Sequence, residues 1–252
     1  MVIACHTAGS MEEFVELMNR RAAELGMKDS SFANPSGLDH ENHYSTPYDM
    51  ALLARACLDN STVAELCATK SITVGTRAFV NHNKLLWRCE GCVGMKTGFT
   101  EKAGRTLVSA AVRDGQTLIC VTLNDGDDWN DHRKLLDYGF RTYPRQVLCR
   151  AGEVLGAVAV EGSLIPTMPV AAKGELGYPL KAGEQLVPEV ELLRSATAPL
   201  PPGVQLGELR WRLDGEVVAQ MPLVSQGNAG LDLREPLTFL ERLRTLLGGR
   251  AA

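Results

Sequence analysis

Apolar residues in the first third of the chain recur at helical spacing, and each run follows a residue that can cap a helix. Ser10 with Glu13 forms a capping box, and the apolar run after it stops at Gly26. Thr46-Pro47 and Asn60-Ser61 are each followed by a further run suited to a helix. These signals predict three helices in this part of the chain.

Further along, the spacing of apolar residues changes to that of strands. Arg105–Arg113 and Gln116–Leu123 are apolar runs joined by Asp114-Gly115, a dipeptide typical of a two-residue hairpin turn. Asn124–Asp128 supplies capping side chains for a helix that runs through Leu135-Leu136. We therefore expect a hairpin followed by a helix.

The organisation of the chain changes near Tyr143-Pro144. Nine of the twelve prolines follow this point, among short alternating apolar runs such as Val154–Val160 and Leu209–Leu213. The fold class predicted is α+β. A domain with an antiparallel sheet packed by helices is expected over residues 1–146, and a small all-β, sandwich-like domain over residues 147–235.

Residues 236–252 are predicted to form an amphipathic helix, because their apolar side chains fall on one half of a helical wheel. Two surroundings suit that apolar half equally well. The helix can lie on a membrane surface as a peripheral contact, with its arginines facing anionic headgroups. It can also pack against the β domain.

Composition excludes several classes of function. The net charge is −4, from 26 basic and 30 acidic residues, and no basic block stands out, so nucleic acid is not an expected partner. No apolar stretch of about 18 residues is present to span a bilayer. The first residues are too few to hold the charged and apolar regions of a secretory signal, so no export signal is expected in this chain.

The seven cysteines are an odd number, spread over predicted helices and strands, which does not indicate a disulfide framework. Cys89-Glu90-Gly91-Cys92 matches a C-x-x-C pattern. A zinc site would need a second pair of ligands at suitable spacing, and His82, His132 and Cys120 do not form one. Buried thiols are the favoured interpretation.

Two polar stretches contain metal-type ligands. Asp39–His43 lies between a turn and the Thr46 cap, where a solvated loop is favoured over a metal site. Asn124–Asp128 resembles a calcium loop but lacks the bidentate glutamate that such a loop needs. No metal ion and no cofactor are therefore expected.

Lys96-Thr97-Gly98 is the tripeptide with the most chemical content. Taken alone, it reads as an edge strand that ends in a turn, with lysine placed for solubility. Its surroundings change that interpretation, because Gly94-Met95 precedes it and Phe99-Thr100 follows it before the apolar run from Thr106 to Val112. The whole segment predicts a strand, a turn and a partner strand.

Four blocks together resemble the D-alanyl-D-alanine carboxypeptidases, which are low-molecular-mass penicillin-binding proteins of the serine peptidase type. The blocks are Asn34–Leu38, Tyr44–Ala51, Asn81–Leu86 and Gly94–Thr100. The resemblance implies a β-lactamase/transpeptidase-like catalytic domain followed by a β-rich domain. It also implies removal of the terminal D-Ala from peptidoglycan stem peptides through an acyl-enzyme, with β-lactams as ligands of the complete protein and the cell envelope as its location.

The resemblance gives four residues a substrate-binding role. The Lys96 cation and the Thr97 hydroxyl are expected to meet the terminal carboxylate of the substrate. Gly98 lets a ligand backbone approach the strand edge and pair with it. The backbone N–H of Phe99 is expected to contribute to the oxyanion hole.

The nucleophile that such a strand serves is not found in this sequence. None of the eleven serines has lysine three positions on or asparagine two positions on, so Ser-x-x-Lys and Ser-x-Asn are both absent. We therefore expect a chain truncated at its amino terminus, with no catalytic residue of its own and inactive alone. Two alternatives stay open: a non-catalytic cell-wall-binding fragment and a β-lactamase-like hydrolase.

Overall fold

The computed structural model describes residues 1–232. The helix predicted over residues 236–252, and the last residues of the predicted β domain, lie outside the described residues. The chain divides into two compact units, of which the first is Met1–Pro144 and the second begins at Arg145. The described residues of the first unit form two hydrophobic clusters, and those of the second unit form one.

The helices predicted from their capping residues form where those residues lie. Ser10, Thr46 and Asn60 each accept a hydrogen bond from the backbone N–H three residues further on, at 3.0, 3.2 and 3.1 Å. Gly26 follows the end of the first capped helix with φ 78°, the left-handed conformation expected there. The helices of this unit are α1 (Val2–Ala8), α2 (Met11–Glu24), α3 (Pro47–Asp59), α4 (Ser61–Ala68), α5 (Leu85–Arg88) and α6 (Asp128–Thr142).

An antiparallel sheet lies at the centre of the first unit. The predicted hairpin is confirmed: Asp114 and Gly115 both have positive φ, 49° and 75°, as a two-residue primed turn requires. The strands are β1 (Ser71–Val74), β2 (Arg77–Val80), β3 (Cys92–Thr100), β4 (Gly104–Arg113) and β5 (Gln116–Leu123). The last three form a sheet in the order β3-β4-β5, and β1 pairs with β2 as a separate ribbon.

The central strand β4 is covered on both faces. Leu107 and Ala111 are buried against α5 and α6, while Val108 and Ala110 are buried against α3. Alternate residues of a strand point to opposite faces, so one strand supplies two cores. The helices on both faces thus fix the position of the sheet, and with it the position of β3.

A polar group is buried within the contact between this sheet and α6. His132 is 0% exposed. Its Nδ1 lies 2.6 Å from the Ser109 hydroxyl on β4, and its Nε2 lies 3.0 Å from the Thr122 hydroxyl on β5. Both ring nitrogens of a neutral imidazole are satisfied in this way, because each hydroxyl can donate or accept. Burial lowers the pKa of His132, and nearby Asp128 opposes that effect.

The second unit is all-β in its described part, as predicted. Six strands form a sheet in the order β10-β12-β13-β8-β7-β11, in which β11 runs parallel to β7, and β6 pairs with β9. The strands are β6 (Arg145–Cys149), β7 (Val154–Glu161), β8 (Thr167–Ala172), β9 (Leu176–Pro179), β10 (Val187–Leu192), β11 (Ser195–Thr197), β12 (Gln205–Leu213) and β13 (Glu216–Ser225).

Some features were not visible in the sequence pattern. Three of these features are short: helix α1, helix α5 and the ribbon of β1 and β2. All eight residues of the ribbon are exposed, so its sequence shows no alternation of buried and exposed positions. The helix expected after Asn124–Asp128 is present as α6, but the side chain of its N-cap residue, Asp127, makes no capping hydrogen bond. Within residues 1–232, no helix is both long and apolar enough to cross a bilayer.

The lowered pKa of His132 predicts a loss of stability in mild acid. Above pH about 6.5 the histidine is neutral in both the folded and unfolded states, so it adds no pH dependence. Below that pH the unfolded chain binds the proton and the folded chain resists it, which costs up to about 1.4 kcal/mol per pH unit. Urea unfolding at pH 7.5 and 5.5 should show a smaller difference for His132→Gln than for the unchanged chain.

The matched control is His6→Gln, which replaces an exposed histidine in α1. This variant should keep the pH dependence of the unchanged chain. Equal pH dependence in His132→Gln and His6→Gln would contradict the assignment of the effect to the buried imidazole.

Candidate active site

The predicted site residues lie along the outer edge of the sheet. β3 pairs with β4 on one side, and no strand of residues 1–232 pairs with its other side. Lys96 and Gly98 are exposed, Thr97 is half-buried and Phe99 is 70% exposed. The outer backbone N–H and C=O groups of this segment therefore have no partner strand within that part of the chain.

A cavity of about 480 Å³ opens beside this edge. Met95, Lys96 and Thr97 contribute to it from β3, and the rest of its lining comes from α4 and from the segment after β2. The lining residues are Val63, Leu66, Cys67, Asn81, His82, Met95, Lys96 and Thr97.

The Lys96 ammonium folds back onto its own strand, where Nζ donates a hydrogen bond to the Thr97 carbonyl oxygen. The Cys67 thiol lies near enough for the two groups to interact. Burial raises the pKa of Cys67, and the positive charge of Lys96 opposes that rise. Lys96 is thus the cationic side chain of the cavity, which also contains a largely neutral thiol.

Asn81 holds the segment Asn81-His82-Asn83 against the residues that follow α4. The Asn81 N–H donates to the Lys70 carbonyl at 2.8 Å, and its side-chain amide donates to the Thr69 carbonyl at 3.0 Å. Its Oδ1 accepts from the Asn83 N–H at 2.9 Å. These bonds hold His82 at the cavity, within one pocket with Lys96.

Gly98 is required by close packing between strands. It pairs with Thr106 of β4, and a Cβ at position 98 would lie inside the van der Waals contact distance of the Thr106 hydroxyl. Any side chain here forces the two strands apart or displaces Thr106.

The end of β3 is fixed by the loop that contains Asp39–His43. The Thr100 hydroxyl donates to Asp39 at 2.9 Å and accepts from the Ala103 N–H at 3.0 Å. Within this stretch His40 Nδ1 accepts from the Asn42 N–H at 3.1 Å, and His43 Nδ1 accepts from the Ala33 N–H at 3.4 Å. The described residues contain no group of three or more His, Cys, Asp or Glu side chains placed to hold a metal ion.

Ser36 is occupied in a turn. Its hydroxyl donates to Asn34 Oδ1 at 2.8 Å, and the same oxygen accepts from the Gly37 and Leu38 N–H groups at 2.9 and 3.2 Å. Turn chemistry accounts for this serine. It is not activated as a nucleophile by any neighbouring base in these bonds.

Sequence comparison covers both units. The sequence profile described as "D-alanyl-D-alanine carboxypeptidase" matches residues 1–127, and the profile described as "Penicillin-binding protein 5, C-terminal domain" matches residues 143–229. The first match spans half of the chain.

The chain belongs to the D-alanyl-D-alanine carboxypeptidase family.

Individual relatives agree with that assignment. The chain is 30% identical over 248 residues to the D-alanyl-D-alanine carboxypeptidase DacF of Bacillus subtilis, a match that covers 93% of this chain and 63% of the relative. It is 32% identical over 246 residues to the D-alanyl-D-alanine carboxypeptidase DacC of Escherichia coli, a match that covers 90% of this chain and 59% of the relative. The chain therefore spans about three fifths of the length of these relatives. The crystal structure of penicillin-binding protein 5 from Haemophilus influenzae has a similar fold, with a TM-score of 0.64 and 28% identity over 90% of this chain and 69% of that structure.

The structure brings Lys96 and Thr97 together in one cavity and leaves Gly98 and Phe99 beside it on the same strand edge. His82 and Cys67 also line the cavity, but they were not predicted as site residues. The resemblance block Asn81–Leu86 was the available signal for His82. No sequence signal indicated Cys67, because its position depends on how α4 packs on β3.

The packing of Gly98 gives a test of the edge geometry. Gly98→Ala should destabilise the chain by about 1–3 kcal/mol, because the added methyl group meets the Thr106 hydroxyl. The double variant Gly98→Ala with Thr106→Ala should regain most of that loss. The free energies of unfolding can be compared by urea denaturation.

Gly126→Ala is the matched control, since nothing lies within 4 Å of a Cβ at that position. It should change the free energy of unfolding by less than about 0.5 kcal/mol. If Gly98→Ala lowered the free energy of unfolding as little as this control, the close contact between position 98 and the Thr106 hydroxyl would be contradicted.

Proposed function

We propose that this chain forms the substrate-binding wall of a serine-type D-alanyl-D-alanine carboxypeptidase, and that Lys96, Thr97, Gly98 and Phe99 bind the stem peptide. The complete protein would remove the terminal D-Ala of peptidoglycan stem peptides and would bind β-lactams at the same site. The observation that carries the proposal is the unpaired edge of β3, with a cation and a hydroxyl at one cavity.

The edge supports binding of an extended peptide. A substrate backbone can add to β3 as a further strand, because the outer N–H and C=O groups of β3 have no strand partner within the described residues. Gly98 keeps the edge open, and the Lys96 ammonium offers a charge-assisted bond to a terminal carboxylate. Such a bond contributes about 1.5–3 kcal/mol.

The backbone also suits the stabilisation of an oxyanion. The Phe99 N–H belongs to the last part of β3, beyond Gly98, and its side chain is exposed. In the proposal this N–H points at the carbonyl oxygen that becomes negative in the tetrahedral intermediate. The reaction would proceed by acylation of a serine, release of D-alanine, and hydrolysis of the acyl-enzyme by water.

The nucleophile would come from a segment that carries Ser-x-x-Lys, which residues 1–252 do not contain. We therefore propose that this chain alone binds weakly and does not turn over substrate. Family membership also supports a location in the cell envelope, where the stem peptides lie.

Reaction with a fluorescent penicillin tests the inactivity of the chain alone. Incubation should give no covalent adduct on a denaturing gel, because no serine here has the lysine neighbour that activates the family nucleophile. A protein that joins this chain to the missing Ser-x-x-Lys segment should be labelled under the same conditions. A stable adduct on any of the eleven serines would overturn the proposal.

In that joined protein, Lys96→Ala should lower kcat/KM for a D-Ala-D-Ala peptide by about tenfold to a hundredfold, the equivalent of one charge-assisted bond. Lys102→Ala is the matched control, because Lys102 is an exposed cation in the turn between β3 and β4. It should leave kcat/KM within about twofold. Equal losses in the two variants would indicate a general effect of charge and not a carboxylate contact.

A further inference from the structure

The C-x-x-C segment lies in a hydrogen-bonded turn immediately before β3. Cys89 follows α5, Cys92 is the first residue of β3, and the Cys92 N–H donates to the Cys89 carbonyl at 3.2 Å. A four-residue turn closed by this bond holds its first and last Cα atoms within about 7 Å. Disulfide bonds join Cα atoms that are about 4.4–6.8 Å apart, so the turn brings the two cysteines into bonding range.

Hydrogen bonds from the neighbouring strand β4 hold this turn in place. Gly91 has φ 71°, and its carbonyl accepts from the Val112 N–H of β4 at 2.8 Å. Arg113 donates to the Glu90 carbonyl at 3.1 Å and approaches the Cys89 sulfur at 3.7 Å, while an ion pair of 2.8 Å ties it to Asp137 of α6. The relative position of the two cysteines is thus set by contacts outside the turn.

The two thiols differ in their exposure to solvent. A stepwise thiol–disulfide exchange needs one thiol that the oxidant can reach first. Glu90 and Gly91 are exposed, Cys92 is half-buried, and Cys89 is buried with 7% exposure. Burial raises the pKa of both thiols, and the charge of Arg113 opposes the rise at Cys89. The reaction rate should therefore increase with pH above neutrality, because the thiolate is the reacting form.

We propose that Cys89 and Cys92 are a redox-active dithiol that small-molecule disulfides convert reversibly to an intrachain disulfide bond. The Cys92 thiolate attacks one sulfur of the oxidant R–S–S–R, forms a mixed disulfide and releases one thiolate. The Cys89 thiolate then attacks the Cys92 sulfur and expels the second thiolate, and the two released thiolates take up the two protons. Two protein thiols are oxidised and one disulfide is reduced.

The disulfide would join the end of α5 to the beginning of β3, four residues before Lys96. Cys120 of β5 is the competing partner, because it packs in the same buried cluster as Cys89. The turn favours Cys92, because the Cys92 N–H bonds directly to the Cys89 carbonyl. Among the described residues, no backbone hydrogen bond joins Cys120 to Cys89.

Oxidised glutathione at pH 8 provides the test. The full chain is incubated with it, free thiols are blocked with N-ethylmaleimide, and the product is digested with trypsin and examined by mass spectrometry. Cleavage after Arg88 and Lys96 releases one peptide, Cys89–Lys96, that contains both cysteines. It should be lighter by two hydrogens, carry no maleimide, and return to the dithiol on treatment with reduced glutathione.

Single variants separate the possible partners. Cys92→Ser should abolish the internally bonded peptide, whereas Cys120→Ser and Cys57→Ser should leave its yield unchanged. A peptide that carries two maleimides, while the exposed Cys5 has reacted with glutathione, would overturn the proposal. A Cys89–Cys120 cross-link would overturn it as well.

A second measurement does not depend on any variant folding. The equilibrium constant for disulfide formation is measured in a glutathione buffer, once with the folded chain and once in urea. Because the fold holds the turn in place, the equilibrium constant of the folded chain should be at least about tenfold larger than that of the chain in urea. Equal constants would mean that the fold does not position the two thiols, and the proposal would fail.

Discussion

The pairing of β4 with both of its neighbours is the interaction on which the first unit depends. Ser109, Ala110 and Ala111 are completely buried at the middle of this strand. A buried strand can leave no backbone group unpaired without a large cost, so β3 and β5 must both lie against it in register. That register brings Gly98 opposite Thr106 and keeps the outer edge of β3 at the surface. The edge and its cavity therefore follow from the packing of a strand that contributes no residue to the cavity.

Features with local causes could be predicted from the sequence. The caps at Ser10, Thr46 and Asn60 act over three residues, and the turn at Asp114-Gly115 depends on the backbone of two residues. A sequence shows such interactions directly because the partners are adjacent in the chain. The strands in the described part of the second unit were predictable for the same reason, since alternation and turn residues are local signals.

Features that depend on distant partners could not be predicted. His132 has its partners on β4 and β5, 23 and 10 residues away, and nothing near it in the sequence indicates a buried imidazole. Cys67 reaches the cavity because α4 packs against β3. The four residues of the proposed binding wall were found through the resemblance of several blocks, since Lys96-Thr97-Gly98 is too short to be specific. Its chemistry depends on an unpaired edge, which is a property of the sheet order.

The unpaired edge of β3 also affects how the protein behaves in concentrated solution. Hydrogen-bonding groups that can receive a peptide can also receive the same edge of another copy of the chain, so this segment is exposed to aggregation by strand addition. The strand carries two features that oppose it. The exposed Lys96 places a positive charge where two identical edges would meet, and the irregular pairing between Cys92 and Gly94 interrupts the straight run of the strand. Lysine at this position therefore contributes to solubility as well as to recognition, and its replacement by an apolar residue would reduce both.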